Sequence, residues 1–339
     1  MAGFFALQWH ITNKCDQRCK HCYIFNSDHP VTGEEWSLEN AELLLNEFVA
    51  FCRKYEKRPS MAITGGDPIL HPQFWEILDL VCKHKIPFNI LGNPFHLNPQ
   101  VIKNLKDAGC QKYQVSLDGL EKTHDSMRQP GSFNATIEAI KLLKENNLSP
   151  VVMTTVSKVN WLEIPELTKL IVELGVHTCA FARYCPTHGD VKDNLSPQQY
   201  RNFLDTMWKV YTNLAEKGTR FTLKDHLWKA YLVEEGLLEV VKDDGIVYDG
   251  CHCGNSHLTF LETGEAYACR RMETPVGFFP DNSLEEIFFG KEMDTYRDIR
   301  QIEGCKECEL LCQCRGCRAV AFGTSGGNYF AKDPQCWKC

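Results

Sequence analysis

Six short apolar runs, each followed by an amphipathic stretch, fill the first two-thirds of this 339-residue chain. They are Phe4–Ile11, Ser60–Ile63, Pro87–Leu91, Lys112–Leu117, Pro150–Val156 and His177–Phe181. Between them, helical spacing predicts Leu38–Tyr55 with Ser37 as its N-cap, Gln73–Lys83, Gln100–Ala108, Asn134–Glu145 and Ile164–Leu174. Gly109 and Gly175 stand where two of these helices must stop. Strands alternating with helices need crossover connections, so the pattern predicts an α/β fold with a parallel sheet. Six such units suit an open barrel or a doubly wound layer, and periodicity does not choose between them. A further helix is expected at Gln198–Ala215, opened by Ser196-Pro197. The expected divisions are 1–217 for the barrel or layer, 218–245 for a helical bridge, and 246–339 for a cysteine-rich domain ordered by metal.

Eighteen cysteines are the compositional outlier. A formal charge of -7 gives no general attraction to nucleic acid or anionic lipid. No apolar run is long enough for a membrane span, and Met1–Ile11 lacks the basic start of an export signal. The expectation is a cytoplasmic protein with no nucleic-acid or membrane partner, its clustered cysteines serving as metal ligands rather than disulfides. Cys52, Cys82, Cys110 and Cys179 lie in helix or strand patterns and are expected to be buried small hydrophobes.

The first cluster reads Cys15-Asp-Gln-Arg-Cys19-Lys-His-Cys22, one loop aiming three thiolates at a point. A closed zinc site wants a fourth ligand close by, and His21 is poorly placed to converge with Cys19 and Cys22. In a 4Fe–4S cluster, three cysteines leave one iron open to a non-protein ligand. Loops at the carboxyl ends of parallel strands build active sites. That edge also collects Thr64-Gly65-Gly66-Asp67-Pro68, Gly92-Asn93-Pro94, Ser116-Leu117-Asp118-Gly119 and Arg183-Tyr184-Cys185-Pro186. The paired glycines are expected to let the backbone approach a ligand.

C-x3-C-x2-C after the first strand, Gly-Gly-Asp-Pro after the second and Ser-Leu-Asp-Gly after the fourth resemble the radical S-adenosylmethionine (radical SAM) superfamily. The resemblance implies a partial (β/α)6 TIM-like barrel. It implies that Cys15, Cys19 and Cys22 hold a 4Fe–4S cluster whose open iron chelates SAM. Reduction of the sulfonium would then give methionine and a 5′-deoxyadenosyl radical. By the same resemblance Gly65, Gly66 and Asp67 hold the methionine ammonium, with Asp67 standing where the family has Glu. Ser116 contacts SAM, Arg128 lies near its carboxylate, and Tyr23 lies near the adenine.

Cys251-x12-Gly264-x4-Cys269, Cys305-x2-Cys308-x5-Cys314-x2-Cys317 and Asp333-Pro-Gln-Cys336 resemble the SPASM extension. That resemblance implies two auxiliary 4Fe–4S clusters, the first on Cys251, Cys253, Cys269 and Cys317. The second would take Cys305, Cys308, Cys314 and Cys336. The usual C-x3-C is shortened here and Cys312 is additional, so Cys312 competes with Cys314, and Cys339 with Cys336. Zinc is the alternative occupant of such C-x2-C pairs. Cys185 and Tyr184 are the candidate catalytic residues, positioned to donate hydrogen or orient a substrate, and His188 shares their loop.

The expected activity is abstraction of hydrogen from a peptide or protein, leading to a crosslink, thioether, epimerisation or oxidation. A flavodoxin or ferredoxin would supply electrons, and a separate protein would bind any leader peptide. A second reading is a small-molecule oxidase or decarboxylase acting on a tetrapyrrole side chain, whose cavity would need several Arg or Lys. A reading from another class is a non-catalytic zinc-binding interaction protein. A plain electron carrier would leave Gly-Gly-Asp, Ser-Leu-Asp-Gly and Arg128 without a ligand.

Overall fold

The computed structural model describes residues 3–25, 35–187, 189 and 191–338. Six parallel strands follow one another in space as they do in sequence. They are β1 (Phe4–Thr12), β2 (Arg58–Gly65), β3 (Phe88–Leu91), β4 (Cys110–Ser116), β5 (Ser149–Val156) and β6 (Thr178–Arg183). The helices between them are α1 (Leu38–Lys54), α2 (Phe74–Lys83), α3 (Pro99–Asp107), α4 (Glu121–Met127), α5 (Ser132–Glu145) and α6 (Ile164–Glu173), and α7 (Pro197–Leu214) follows β6. Three of them, α1, α3 and α7, start where a side chain satisfies a first-turn N–H group. Ser37 accepts from Asn40 N, Asn98 accepts from Val101 N, and Ser196 with Gln199 forms a reciprocal box. On α1 the residues Ala41, Leu44, Leu45, Phe48 and Cys52 share the buried face. Burying side chains of this size contributes roughly 1.5–3 kcal/mol each for the larger ones.

The barrel does not close. A ten-stranded sheet runs β10-β9-β8-β1-β2-β3-β4-β5-β6-β7, so β1 pairs with β8 rather than with β6. This leaves an α/β partial barrel with an open side, followed by the cysteine-rich segment.

Three expectations are corrected. The 218–245 segment is not wholly helical. It carries β7 (Arg220–Thr222), parallel to β6, and one helix, α8 (Trp228–Glu234). Phe221 stacks on Tyr211 of α7 at 4.2 Å, which ties this three-residue strand to the sheet. The last domain is not ordered by metal sites alone. Its strands β8 (His257–Phe260), β9 (Glu265–Tyr267) and β10 (Pro275–Phe278) extend the barrel sheet. Leu258, Phe260, Phe279, Leu284 and Ile287 share one apolar core with Phe5, Leu7, Trp9 and Ile11 of β1. Cys82 is exposed, falling beside the buried stripe Phe74, Ile77, Leu78 and Val81 of α2. Cys52, Cys110 and Cys179 are buried as expected. Among the described residues, no helix is long and apolar enough to cross a membrane.

Candidate active site

The sheet register brings the end of β1 against the end of β2, with Thr12 opposite Gly65. Gly66 N donates to Thr12 O at 2.9 Å and Asp67 N to Lys14 O at 2.7 Å. A Cβ on Gly65 would stand 2.0 Å from Thr12 O, and one on Gly66 2.2 Å from Lys14 O. The glycines therefore admit the root of the cysteine loop, a role that spacing in sequence assigned to ligand approach. The consequence is a fixed base for Cys15.

Cys15, Cys19 and Cys22 line one cavity with Tyr23, Gly65, Gly66, Asn93, Ser116 and Arg128, so the loops after β1 to β4 converge as expected. Polar groups surround the sulfurs. Asn93 Nδ2 donates to Cys15 Sγ at 3.3 Å and to Asp16 Oδ1 at 2.6 Å. Gln17 N lies 3.5 Å from Cys15 Sγ, and Cys19 Sγ donates to Gln17 Oε1 at 3.3 Å. Arg128 Nη1 points to Cys19 Sγ at 3.5 Å. Its Nε donates to Asp118 Oδ2 at 2.7 Å, and His21 Nε2 lies 3.2 Å from the same oxygen. Burial would raise the Asp118 pKa, but Arg128 and His21 outweigh it and hold the carboxyl well below its usual range. Asp118, His21, Gln17, Asn93 and His96 were missed as site residues, because their roles are set by contacts across the rim rather than by spacing. Four of them lie inside quoted motifs, Asp118 and Asn93 in the rim segments and Gln17 and His21 in the cysteine loop, whereas His96 lies outside them all.

Asp67 is fully buried behind Gly66, and neither carboxylate oxygen has a hydrogen-bond partner. Burial raises its pKa to about 7, with His96 pulling the other way and Asp16 adding to the rise. The backbone N–H groups of Asn93 and Ile69 stand near it and act to lower its pKa. A buried carboxylate with no donor is costly unless a cation meets it.

The auxiliary cysteines form two groups. Cys305, Cys308, Cys314 and Cys336 line one small cavity. Cys312 turns away and donates to Asp243 Oδ1 at 3.3 Å, which separates it from Cys314. Cys339 and His188 lie outside the described residues. Cys251, Cys253, Cys269 and Cys317 line an inner cavity under the barrel. Tyr184 is half-buried, its N–H bonded to Val156 O at 2.8 Å, and lines neither cavity around the Cys15 loop. Cys185 lines the Cys15 cavity and packs against the cluster that holds Cys317.

Residues 9–171 match the radical SAM superfamily, and residues 251–318 match the SPASM iron–sulfur cluster-binding domain. The chain carries a radical SAM domain followed by a SPASM domain. These imply a 4Fe–4S cluster with SAM and additional auxiliary clusters. The AdoMet-dependent heme synthase of Methanosarcina barkeri is 27% identical over 97% of this chain and 95% of its own length. Mycofactocin maturase MftC of Mycobacterium ulcerans is 25% identical over 98% of this chain and 87% of its own. The crystal structure of Streptococcus suis SuiB bound to S-adenosylmethionine matches at TM-score 0.78 and 18% identity, covering 99% of this chain and 78% of that one. At that identity the likeness concerns the fold.

The residues fit the cofactors. A three-thiol loop suits a cluster with one open iron, and Gly65 and Gly66 line the same cavity with the Asp67 carboxylate buried directly behind them, a negative charge suited to an ammonium at that wall. Asp67→Asn is therefore expected to weaken SAM binding about 10–100-fold, the range for losing one charged hydrogen-bond partner. In the parent protein, affinity should fall as pH drops from about 7, because protonated Asp67 cannot pair with a cation. Calorimetric titration of anaerobic protein at several pH values checks both outcomes. Loaded protein should carry about twelve irons, four per cluster. Cys314→Ala should lower the count by about four, whereas Cys312→Ala should leave it unchanged, as read by iron analysis.

Proposed function

We propose that this radical SAM/SPASM enzyme abstracts hydrogen from a peptide or protein and oxidises or crosslinks the residue attacked. Cys15, Cys19 and Cys22 would hold the SAM cluster, with the two cysteine groups of the SPASM domain holding one auxiliary cluster each. Bound there, SAM supplies a 5′-deoxyadenosyl radical and the auxiliary clusters supply one-electron chemistry. Asp67 receives the ammonium of SAM, and Arg128, fixed by Asp118, offers a cation to its carboxylate. Ser116 and Tyr23 close the cavity around the nucleoside.

The observation that carries the peptide reading is the outer cavity of about 390 Å³ beyond Tyr23. Its charged lining is balanced, with Arg270 and Arg271 against Glu262 and Glu273. One rim is backbone-rich, built by Gly323, Gly326, Gly327 and Gly189. Gly189 N donates to Gly323 O at 3.1 Å and Gly327 N to Phe322 O at 2.9 Å, and this ordered rim with few side chains, beside a neutral-on-balance wall, suits an extended chain better than a polyanion. A maturase among the relatives agrees. An electron donor of the flavodoxin or ferredoxin type, a separate leader-binding protein and a cytoplasmic location complete the proposal.

One feature favours a tetrapyrrole, in keeping with the relative named as a heme synthase. Lys224 faces the inner cavity with Arg270 and Arg271, and enclosure, then those two arginines, lowers its pKa to about 7. Deuterium tracing separates the readings. The loaded, reduced enzyme is given SAM and either a deuterated cysteine-containing peptide or an iron tetrapyrrole deuterated on its propionates. Deuterium in 5′-deoxyadenosine from the peptide alone is expected; deuterium from the tetrapyrrole alone would overturn the proposal.

A further inference from the structure

Five thiols, one more than a 4Fe–4S cluster needs, surround the first auxiliary site. Cys251, Cys253, Cys269 and Cys317 line the inner cavity. Cys253 packs in one cluster with Cys251 and Cys269. The fifth, Cys185, comes from the barrel, two residues past the end of β6, and packs against the cluster that holds Cys317. Its Sγ is 3.7 Å from Arg183 O. All five pack in one apolar cluster with Met272, Val320 and Tyr329.

Arg271 joins the two sides of this pocket. Its guanidinium donates to Cys317 Sγ at 3.3 Å and to Arg183 O at 3.4 Å. A buried cation beside several sulfurs offsets the charge that thiolates bring. Cys185 also lines the cavity of the Cys15 loop, so it stands in the wall between the two sites. A structural thiol in a well-packed core has no need to touch a metal ligand, and the other barrel cysteines, Cys52, Cys110 and Cys179, are buried in the barrel core away from this pocket.

We infer that Cys185 is an interchangeable fifth ligand of the first auxiliary cluster, able to take the place of Cys253. The exchange is redox-neutral. One Fe–S bond forms as another breaks, and the proton released by the incoming thiol is taken up by the outgoing thiolate. The barrel would then hold the cluster directly, from the wall of the SAM cavity. This inference rests on the auxiliary site and not on the substrate class, so it stands or falls apart from the peptide reading.

The test uses the full chain, loaded anaerobically with iron and sulfide, and reads iron content and the EPR spectrum of the reduced clusters. Cys253→Ala is expected to keep about twelve irons while shifting the EPR signal, because Cys185 fills the position. Cys253→Ala with Cys185→Ala is expected to lose about four irons. Alkylation followed by mass spectrometry supplies a second readout, expected to find Cys185 protected in loaded Cys253→Ala and labelled after chelation. Loss of about four irons in Cys253→Ala alone overturns the inference. So does a double variant that retains all its iron, or a Cys185 labelled equally in loaded and stripped protein. Circular dichroism of each variant separates misfolding from ligand loss.

Discussion

Replacing Cys15, Cys19 and Cys22 together with alanine is expected to cut 5′-deoxyadenosine release to background while leaving about eight of twelve irons in place. The loop should survive the change, because its position does not depend on metal. Gly66 and Asp67 pin its root by backbone bonds to Thr12 and Lys14, and Lys20 N bonds Met127 O at 2.9 Å at its far side. Asp16 is held by Asn93 and lies 3.0 Å from His96. The loss would therefore be one of ligands and not of fold. Liquid chromatography of quenched reactions gives the nucleoside, and iron analysis gives the count. Zinc in place of iron, or a triple variant that still cleaves SAM, would remove the basis for any radical chemistry here.

The barrel was legible because its signals are local. Apolar alternation over eight or nine residues marks β1 and β5, and Ser37, Gly109 and Gly175 stand at helix ends where capping chemistry requires them. What escaped was short or polar. The sequence Glu121–Met127 has no apolar stripe, yet it forms α4, with His124 buried between Asp118 N and Ser132 Oγ. Three-residue β7 exists because β6 offers it an edge, a partner that no window of sequence contains. The last domain misled for a related reason. Frequent glycine and cysteine hide the apolar residues of β8 and β9, which find their core on β1, some 250 residues earlier.

The site divides the same way. Cysteine spacing marked the three-thiol loop, and Gly-Gly-Asp marked the orphaned carboxylate. Spacing could not choose between Cys312 and Cys314, because both are buried and two residues apart. Asp243, in the irregular segment after α8, engages Cys312, while Cys314 lines the cavity with Cys305, Cys308 and Cys336. Asp118 stood only as one residue of the Ser-Leu-Asp-Gly motif, yet it is the fully buried anchor of both Arg128 and His21.

Asp333→Ala should be the most destabilising single change, because Asp333 joins the barrel to the cysteine-rich domain. Arg183, at the end of β6, is wholly buried and donates through Nη1 and Nη2 to the two Asp333 oxygens, each at 2.8 Å. Its Nε donates to Asp225 at 2.7 Å. Asp333 also accepts from Cys317 N at 2.7 Å and Gln335 N at 3.0 Å, which fixes the backbone on either side of two auxiliary cysteines. Removing Asp333 leaves Arg183 paired with Asp225 but takes the acceptor from its Nη groups and from the buried N–H groups of Cys317 and Gln335, a loss of about 3–5 kcal/mol in all. The melting temperature should fall by roughly 10 °C, and the cluster that uses Cys336 should be lost with it. Asp333→Asn keeps the shape and some of the bonds, so its loss should be smaller. Burial would raise the Asp333 pKa, but Arg183 and the two N–H donors hold it below its usual value. Its contribution is thus full above about pH 4, the unfolded value, and fades as acid titrates the folded carboxyl. Thermal melts from pH 7 down to 3 should show the parent converging on Asp333→Ala at the acid end. An Asp333→Ala protein that melts with the parent at pH 7 and keeps all its iron would mean that the two domains hold together without this pair.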